Sequence, residues 1–266
     1  MPFTDPELAH FAAEGPTPLP AGGEQGWVEH AGARLWYAAY GAGPAVFLLH
    51  GGLGHSGNWG YQVPALLAGG YRVVLLDSRG HGRSTRDGQP YSYELMGDDL
   101  AAVMDHLGIA SAKLVGWSDG ACTALCLADR RPQRVEAVLF FGCNMDPSGT
   151  KELTDFPPTL QHCIQRHRQN YAALSATPQQ FDDLMEAVNL MQATQPNYTA
   201  QDLARIRVPV AVVHAEHDEF IKREHAEYLV QQLPNASWEL LPGVSHFAPL
   251  QRPELFNEVV LRFLAG

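Results

Sequence analysis

The sequence predicts an α/β fold: a mainly parallel sheet with helices on both faces. Three observations carry this. Short, continuously apolar runs recur along the chain. Longer stretches with helical spacing lie between them. Glycines and prolines mark most of the joints. Strands that read as unbroken apolar runs are covered on both faces, and strand–helix alternation is the pattern of parallel crossover units. With 266 residues and 45% hydrophobic content, the chain suits one domain with a sizeable core.

Trp27 to His30 and Arg34 to Tyr40 read as two strands joined by a turn at Ala31-Gly32. Ala45 to Leu49 is a strand buried on both faces. A helix starting near Asn58 closes at Leu66 to Gly70, where glycines give the stop signal. Val73 to Leu76 is the fourth strand. Tyr93 to Leu107 places Leu95, Leu100, Val103, Met104 and Leu107 at helical spacing, with acids on the other face. Lys113 to Gly116 is a strand, Gly120 to Asp129 a helix, and Val135 to Phe141 a strand. From about Met145 to Leu203 the alternation breaks into a polar, irregular stretch with prolines and helical fragments. It resumes with a strand at Val210 to His214, a helix at Arg223 to Leu233, a strand at Trp238 to Leu241 and a closing helix at Glu254 to Leu264. The expected division is an N-terminal extension over 1–25, a core over 26–144 and 204–266, and an insertion over 145–203.

A formal net charge of −11, with no dense basic cluster, argues against nucleic acid as a partner. Cys122, Cys126, Cys143 and Cys163 show no CxxC pair and no zinc-type spacing. They read as reduced thiols of a cytoplasmic protein. The Pro-, Gly- and Ala-rich start lacks the pattern of a signal peptide, and no apolar run has the length of a membrane span. No metal or cofactor is implied.

The sharpest motif is Gly116-Trp117-Ser118-Asp119-Gly120, a G-x-S-x-G pentapeptide between a predicted strand and a predicted helix. A tight turn that lifts a hydroxyl above the sheet leaves no room for a Cβ at either glycine. Ser118 is therefore the expected nucleophile, and it needs a base. His246, in the loop before the last helix, is the candidate. Asp218, just after the strand Val210 to His214, is the expected acid to orient it. Glu216 and Glu219 flank it, and Asp146 is the second choice. The chain order Ser118, Asp218, His246 is that of one hydrolase architecture. The oxyanion hole is expected from the backbone amides of Asp119 and Gly52, with Leu53 in reserve, because His50-Gly51-Gly52-Leu53-Gly54 follows the third strand. The same glycine run lacks the Lys-Ser/Thr of a phosphate-binding loop.

On these residues, together with Asp77-Ser78-Arg79-Gly80-His81-Gly82-Arg83-Ser84, the chain resembles the α/β-hydrolase fold superfamily from about Trp27 onward. The resemblance implies an eight-stranded, mostly parallel sheet and a small helical cap inserted after Val135 to Phe141. It implies a serine esterase or lactonase acting on a small-molecule ester. C–C hydrolases, N-terminal peptidases and slow ligand-binding receptors on the same scaffold are the alternatives. The Gly-Trp-Ser-Asp-Gly form is similar to amino-acid-ester hydrolases, in which the acid after the serine binds a substrate ammonium group. Asp119 has that role by resemblance; an acid in the first turn of a helix is equally explained by the helix dipole. Trp117 and Trp59 are candidates for the pocket wall, with core packing as their other role. Arg79 and His81 are expected to hold their loop. In the insertion, Phe156, His162, Tyr171, Phe181, Met185 and Met191 are candidate lining residues that packing also explains. His162 and His167 are expected at the surface.

Overall fold

A computed structural model describes residues 6–153 and 157–266. The first two strands, β1 (Glu24–His30) and β2 (Ala33–Tyr40), form an antiparallel hairpin with Trp27 opposite Trp36. Its two-residue turn holds Ala31 and Gly32 at φ 43° and 81°. Positive φ at both positions matches the right-handed twist of the flanking strands. The other strands are β3 (Ala45–Leu49), β4 (Arg72–Leu76), β5 (Ala112–Trp117), β6 (Val135–Phe141), β7 (Val210–His217) and β8 (Ala236–Ser245). They complete an eight-stranded sheet in the order β1-β2-β4-β3-β5-β6-β7-β8, parallel from β4 onward.

The apolar runs divide by parity. Val46 and Leu48 of β3 and Val73 and Leu75 of β4 face one layer; Phe47, Leu49, Val74 and Leu76 face the other. Side chains alternate across a strand, so an unbroken apolar run serves two cores. One layer is closed by α3 (Tyr93–His106), α4 (Asp119–Arg130) and α8 (Arg223–Gln232), through residues such as Val103, Leu125 and Leu229. The other is closed by α1 (Pro6–Glu14), α2 (Gln62–Ala68) and α10 (Pro253–Ala265), through Leu8, Leu66 and Phe256. At about 2 kcal/mol for each large apolar side chain, the burial on the two sides amounts to tens of kcal/mol.

Several expectations shift at their edges. The helix expected from Asn58 splits into a 3-10 turn at Ser56–Trp59 and α2. The proline- and glycine-rich start contains α1, whose Leu8 and Phe11 are buried. The stretch between β6 and β7 is more regular than its composition suggests. It holds α5 (Pro158–Leu174), α6 (Phe181–Thr194) and the short α7 (Ala200–Leu203). Arg166 of α5 ties this region to α1, its Nε donating to the Ala12 carbonyl at 3.0 Å and its Nη2 to that of Ala13. The remaining short helix, α9 (Ala248–Gln251), precedes α10. All four cysteines are free and buried. Among the described residues, no helix is long and apolar enough to cross a membrane.

Candidate active site

Ser118, the Gly51–Leu53 loop, Asp218 and His246 all stand just beyond the carboxyl ends of strands, after β5, β3, β7 and β8 respectively. This is where open α/β sheets gather functional loops. All but Asp218, which is buried behind the His246 ring, border one cavity of about 420 Å³, roofed by residues of α5 and α6.

Ser118 has φ 53° and ψ −125°, a region that L residues avoid. Its amide donates to the Phe141 carbonyl at 2.9 Å, and its carbonyl accepts from the Ala121 amide at 2.7 Å. A Cβ at Gly116 would collide with the Ala121 backbone, and one at Gly120 with the Leu49 carbonyl. The turn therefore exists only with glycine on both sides, and the surrounding contacts hold the serine in its strained conformation.

His246 Nδ1 and Asp218 Oδ2 are 3.0 Å apart and buried. Asp218 Oδ1 accepts from the amides of Phe220 and Ile221, each at 2.9 Å. Burial by itself favours the neutral carboxyl, but His246 and these donors bring the Asp218 pKa below its usual range. Burial likewise opposes the imidazolium, and Asp218 outweighs it, so the His246 pKa lies above the usual 6.5. The two flanking acids have other work. Glu216 accepts from the Gly243 amide at 2.8 Å and Glu219 from the His246 amide at 3.0 Å. Both grip the backbone of the histidine loop, and Asp218 alone reaches the ring. Asp146, the second-choice acid, caps a 3-10 turn and lies 3.7 Å from His225; it has no contact with His246. Gly142 was not singled out from the sequence. Its φ is 62°, and a Cβ there would sit 3.2 Å from both Asp218 Oδ2 and His246 Nδ1.

The His50–Gly54 loop is fixed from below. The Ser78 amide donates to His50 Nε2 at 3.0 Å, which leaves His50 Nδ1 to donate to the Gly51 carbonyl at 2.8 Å. Burial, the leading cause, lowers the His50 pKa to about 4, so this tautomer is neutral. Asp77 anchors the same region by accepting from the Ser56 and Arg83 amides at 2.7 and 2.8 Å. Arg79 is wholly buried and pairs with Asp99 through two bonds of 2.9 and 2.7 Å, while also reaching the Ala31 carbonyl. It clamps its loop to α3 and the first hairpin. His81 Nδ1 lies 2.9 Å from the Arg79 carbonyl. Leu53, and not a glycine, takes the left-handed conformation in this loop, at φ 62°. Gly52 leaves room for the Asp119–Gln192 pair: a Cβ would lie 2.6 Å from Asp119 Oδ2 and 2.8 Å from Gln192 Nε2, displacing those side-chain ends. Among the described residues, neither the Gly52 nor the Asp119 amide donates to another group of the chain.

The Asp119 side chain borders the cavity but is already engaged. Tyr93 donates to Oδ1 at 2.7 Å, and Gln192 Nε2 reaches Oδ1 and Oδ2 at 3.1 and 3.0 Å. Burial raises its pKa against these donors. Tyr93 and Gln192 carry no motif, so nothing in the sequence singled them out. Trp117 borders the cavity and backs His246 at a centroid distance of 6.1 Å. Trp59 corrects its expectation: it is 0% exposed, lies behind Trp117 against Phe256, and does not reach the cavity. Of the candidates in the insertion, Met185 lines the cavity. Tyr171, Phe181 and Met191 are buried in packing, His162 is exposed, and Phe156 lies outside the described residues. His167 was expected at the surface and is instead buried in the cavity wall. Phe220, also missed, meets His246 edge-on at 4.8 Å.

A family model described as alpha/beta hydrolase fold matches residues 44–161. RutD of Caulobacter sp. strain K31, named as a carbamate hydrolase, is 30% identical over 87% of this chain and 96% of its own length. The human serine hydrolase BPHL is 26% identical over 88% of this chain and 84% of its own. The structure of Est816, described as an N-acyl homoserine lactone degrading enzyme, is 26% identical with a TM-score of 0.69, covering 90% of this chain and 100% of that one. Likeness of this extent, along nearly the whole of RutD and at the level of the sheet itself, shows that the chain belongs to the α/β-hydrolase fold family.

Proposed function

We propose that the protein is a serine hydrolase of the esterase or lactonase type that cleaves small carboxylic esters through an acyl-enzyme. The observation that carries this reading is the 3.0 Å contact of Asp218 with His246, on the cavity that Ser118 borders from its strained turn. His246 takes the Ser118 proton as the hydroxyl attacks the carbonyl, and the amides of Asp119 and Gly52 receive the oxyanion, with Leu53 in reserve. His246 then protonates the leaving alcohol and activates water for deacylation, while Asp218 holds its tautomer. Residues 145–203 act as a cap on the core of 26–144 and 204–266. The lactone named for Est816 is a cyclic ester, and the carbamate named for RutD presents a related carbonyl.

The bonding of Asp119 favours substrates without an ammonium group. Two donors of the chain already hold its carboxylate, Tyr93 at 2.7 Å and Gln192 at 3.0 Å, so a substrate cation would have to compete with them. Its side chain then serves to fasten α6 to the nucleophile turn. A time course of p-nitrophenyl acetate and butyrate hydrolysis tests the function, beside Ser118→Ala with an unchanged circular dichroism spectrum. Turnover lost in the variant is expected. Hydrolysis retained by pure Ser118→Ala overturns the nucleophile assignment.

A further inference from the structure

His167 lies on α5 in a buried stripe with Leu160, Cys163 and Tyr171, spaced three and four residues apart. Its neighbours on that face are apolar or thiol, and a histidine there is out of pattern. The ring is 6% exposed and borders the same cavity as Ser118 and His246. Phe11 of α1 backs it at a centroid distance of 5.7 Å. Neither ring nitrogen has a hydrogen-bond partner among the described residues; Nδ1 is shut off from the cavity, which leaves Nε2 as the atom that a ligand can meet. A neutral imidazole carries one donor and one acceptor, and native folds rarely leave such atoms unpaired.

Two other polar side chains of the wall are occupied, while the Trp117 indole Nε1 is buried without a partner among the described residues. Gln192 holds Asp119 at 3.0 Å, and the Asn144 amide donates to the Asp146 carbonyl at 2.8 Å. Burial first, and then the nearby imidazoles of His55, His50 and His81, push the His167 pKa down to about 3. The ring is thus uncharged at ordinary pH. It offers no ion pair to a carboxylate or an ammonium group, and it suits a neutral oxygen.

We infer that His167 is a substrate-binding residue: its imidazole forms the polar end of the cavity and hydrogen-bonds a neutral hydroxyl or carbonyl oxygen that the substrate carries away from its scissile bond. The inference rests on the esterase reading for what the substrate is. It specifies an oxygenated ester in place of a plain aliphatic one.

The test compares three esters. Ethyl butyrate is the plain reference, ethyl 3-hydroxybutyrate places the oxygen on the acyl side, and 2-hydroxyethyl butyrate places it on the alcohol side. Wild-type protein is expected to favour one hydroxylated ester over ethyl butyrate by about fivefold in kcat/KM, the worth of one neutral hydrogen bond. His167→Phe keeps an aromatic ring without its nitrogens and is expected to erase that preference, with ethyl butyrate changed less than about twofold. His167→Asn is expected to restore part of it. An equal fall for all three esters, or an unchanged preference, means that the ring only packs or binds water, and overturns the inference. Nitrogen-15 NMR of the unmutated His167 ring in Ser118→Ala protein decides the matter without turnover. A shift on adding a hydroxylated ester, absent with ethyl butyrate, supports the role; no difference among the three overturns it. Absence of hydrolysis in wild-type protein counts against the esterase reading, and the NMR arm still judges His167.

Discussion

The floor and the roof of the cavity are built on different principles. The floor consists of strand ends, and its backbone is over-determined. Ser118 is held at positive φ by three backbone hydrogen bonds between two tightly packed glycines, and Asp218 by two amides and an imidazole. The roof consists of α5 and α6, which contribute Ile164, Met185 and Val188 together with His167 and Gln192. Here side chains of amphipathic helices face a void, and the His167 ring has no hydrogen-bond partner among the described residues. The difference teaches where chemistry and selectivity reside. A group that must meet a transition state needs a fixed backbone beneath it, whereas a wall that sorts substrates needs surface and a few open hydrogen bonds.

If that division holds, floor substitutions lower kcat for every ester, and roof substitutions act on stability or on the choice of ester. The largest effect after loss of the serine is expected from Asp218→Asn, about 10⁴-fold in kcat by analogy with other triads. The pH profile gives a second readout. The base must be neutral, so activity is lost as pH falls through the His246 pKa, which Asp218 holds above 6.5 against burial. Wild-type kcat/KM is therefore expected to inflect above 6.5, and the residual activity of the variant at a lower pH. An unmoved inflection would break the pairing.

Gly142→Ala comes next. Its Cβ would press on both partners of the Asp218–His246 pair, 3.2 Å from each, and its φ of 62° disfavours any side chain. A loss of about 10²-fold in kcat is expected, equal for acetate and butyrate esters. A selective loss on one ester would assign Gly142 to substrate contact instead. The smallest effect belongs to the roof. Gln192→Ala removes the α6 donor from Asp119 and is expected to lower stability by about 1 to 2 kcal/mol in urea unfolding. Its kcat on simple esters should change less than about threefold. A large fall in kcat would show that the roof also sets the nucleophile, and the comparison would fail.

How legible each feature was follows from its range. The hairpin turn at Ala31-Gly32 and the elbow at Ser118 depend on residues two to four positions apart, and both were readable. The sheet was readable because parity divides each apolar run between two layers. Asp218 was the expected acid, although Glu216 and Glu219 beside it carry much the same local signal, and the structure pairs it with His246. Trp59 and Trp117 look alike in the sequence, yet one packs behind the other. His167 reads as a polar residue on a polar helix until α1 closes over it.

The sequence by itself determined the chain order of the strands, the strained serine turn and the chain positions of the candidate base and acid. Backbone sterics, turn chemistry and hydrophobic period act over a few residues, so they are written locally. Only the tertiary structure decided which acid meets the imidazole, that Gln192 holds Asp119 across 73 positions, and that His167 faces inward. Those outcomes depend on contacts between segments far apart in the chain. Their geometry exists only once the two layers have packed on the sheet and the helices after β6 have closed over its strand ends.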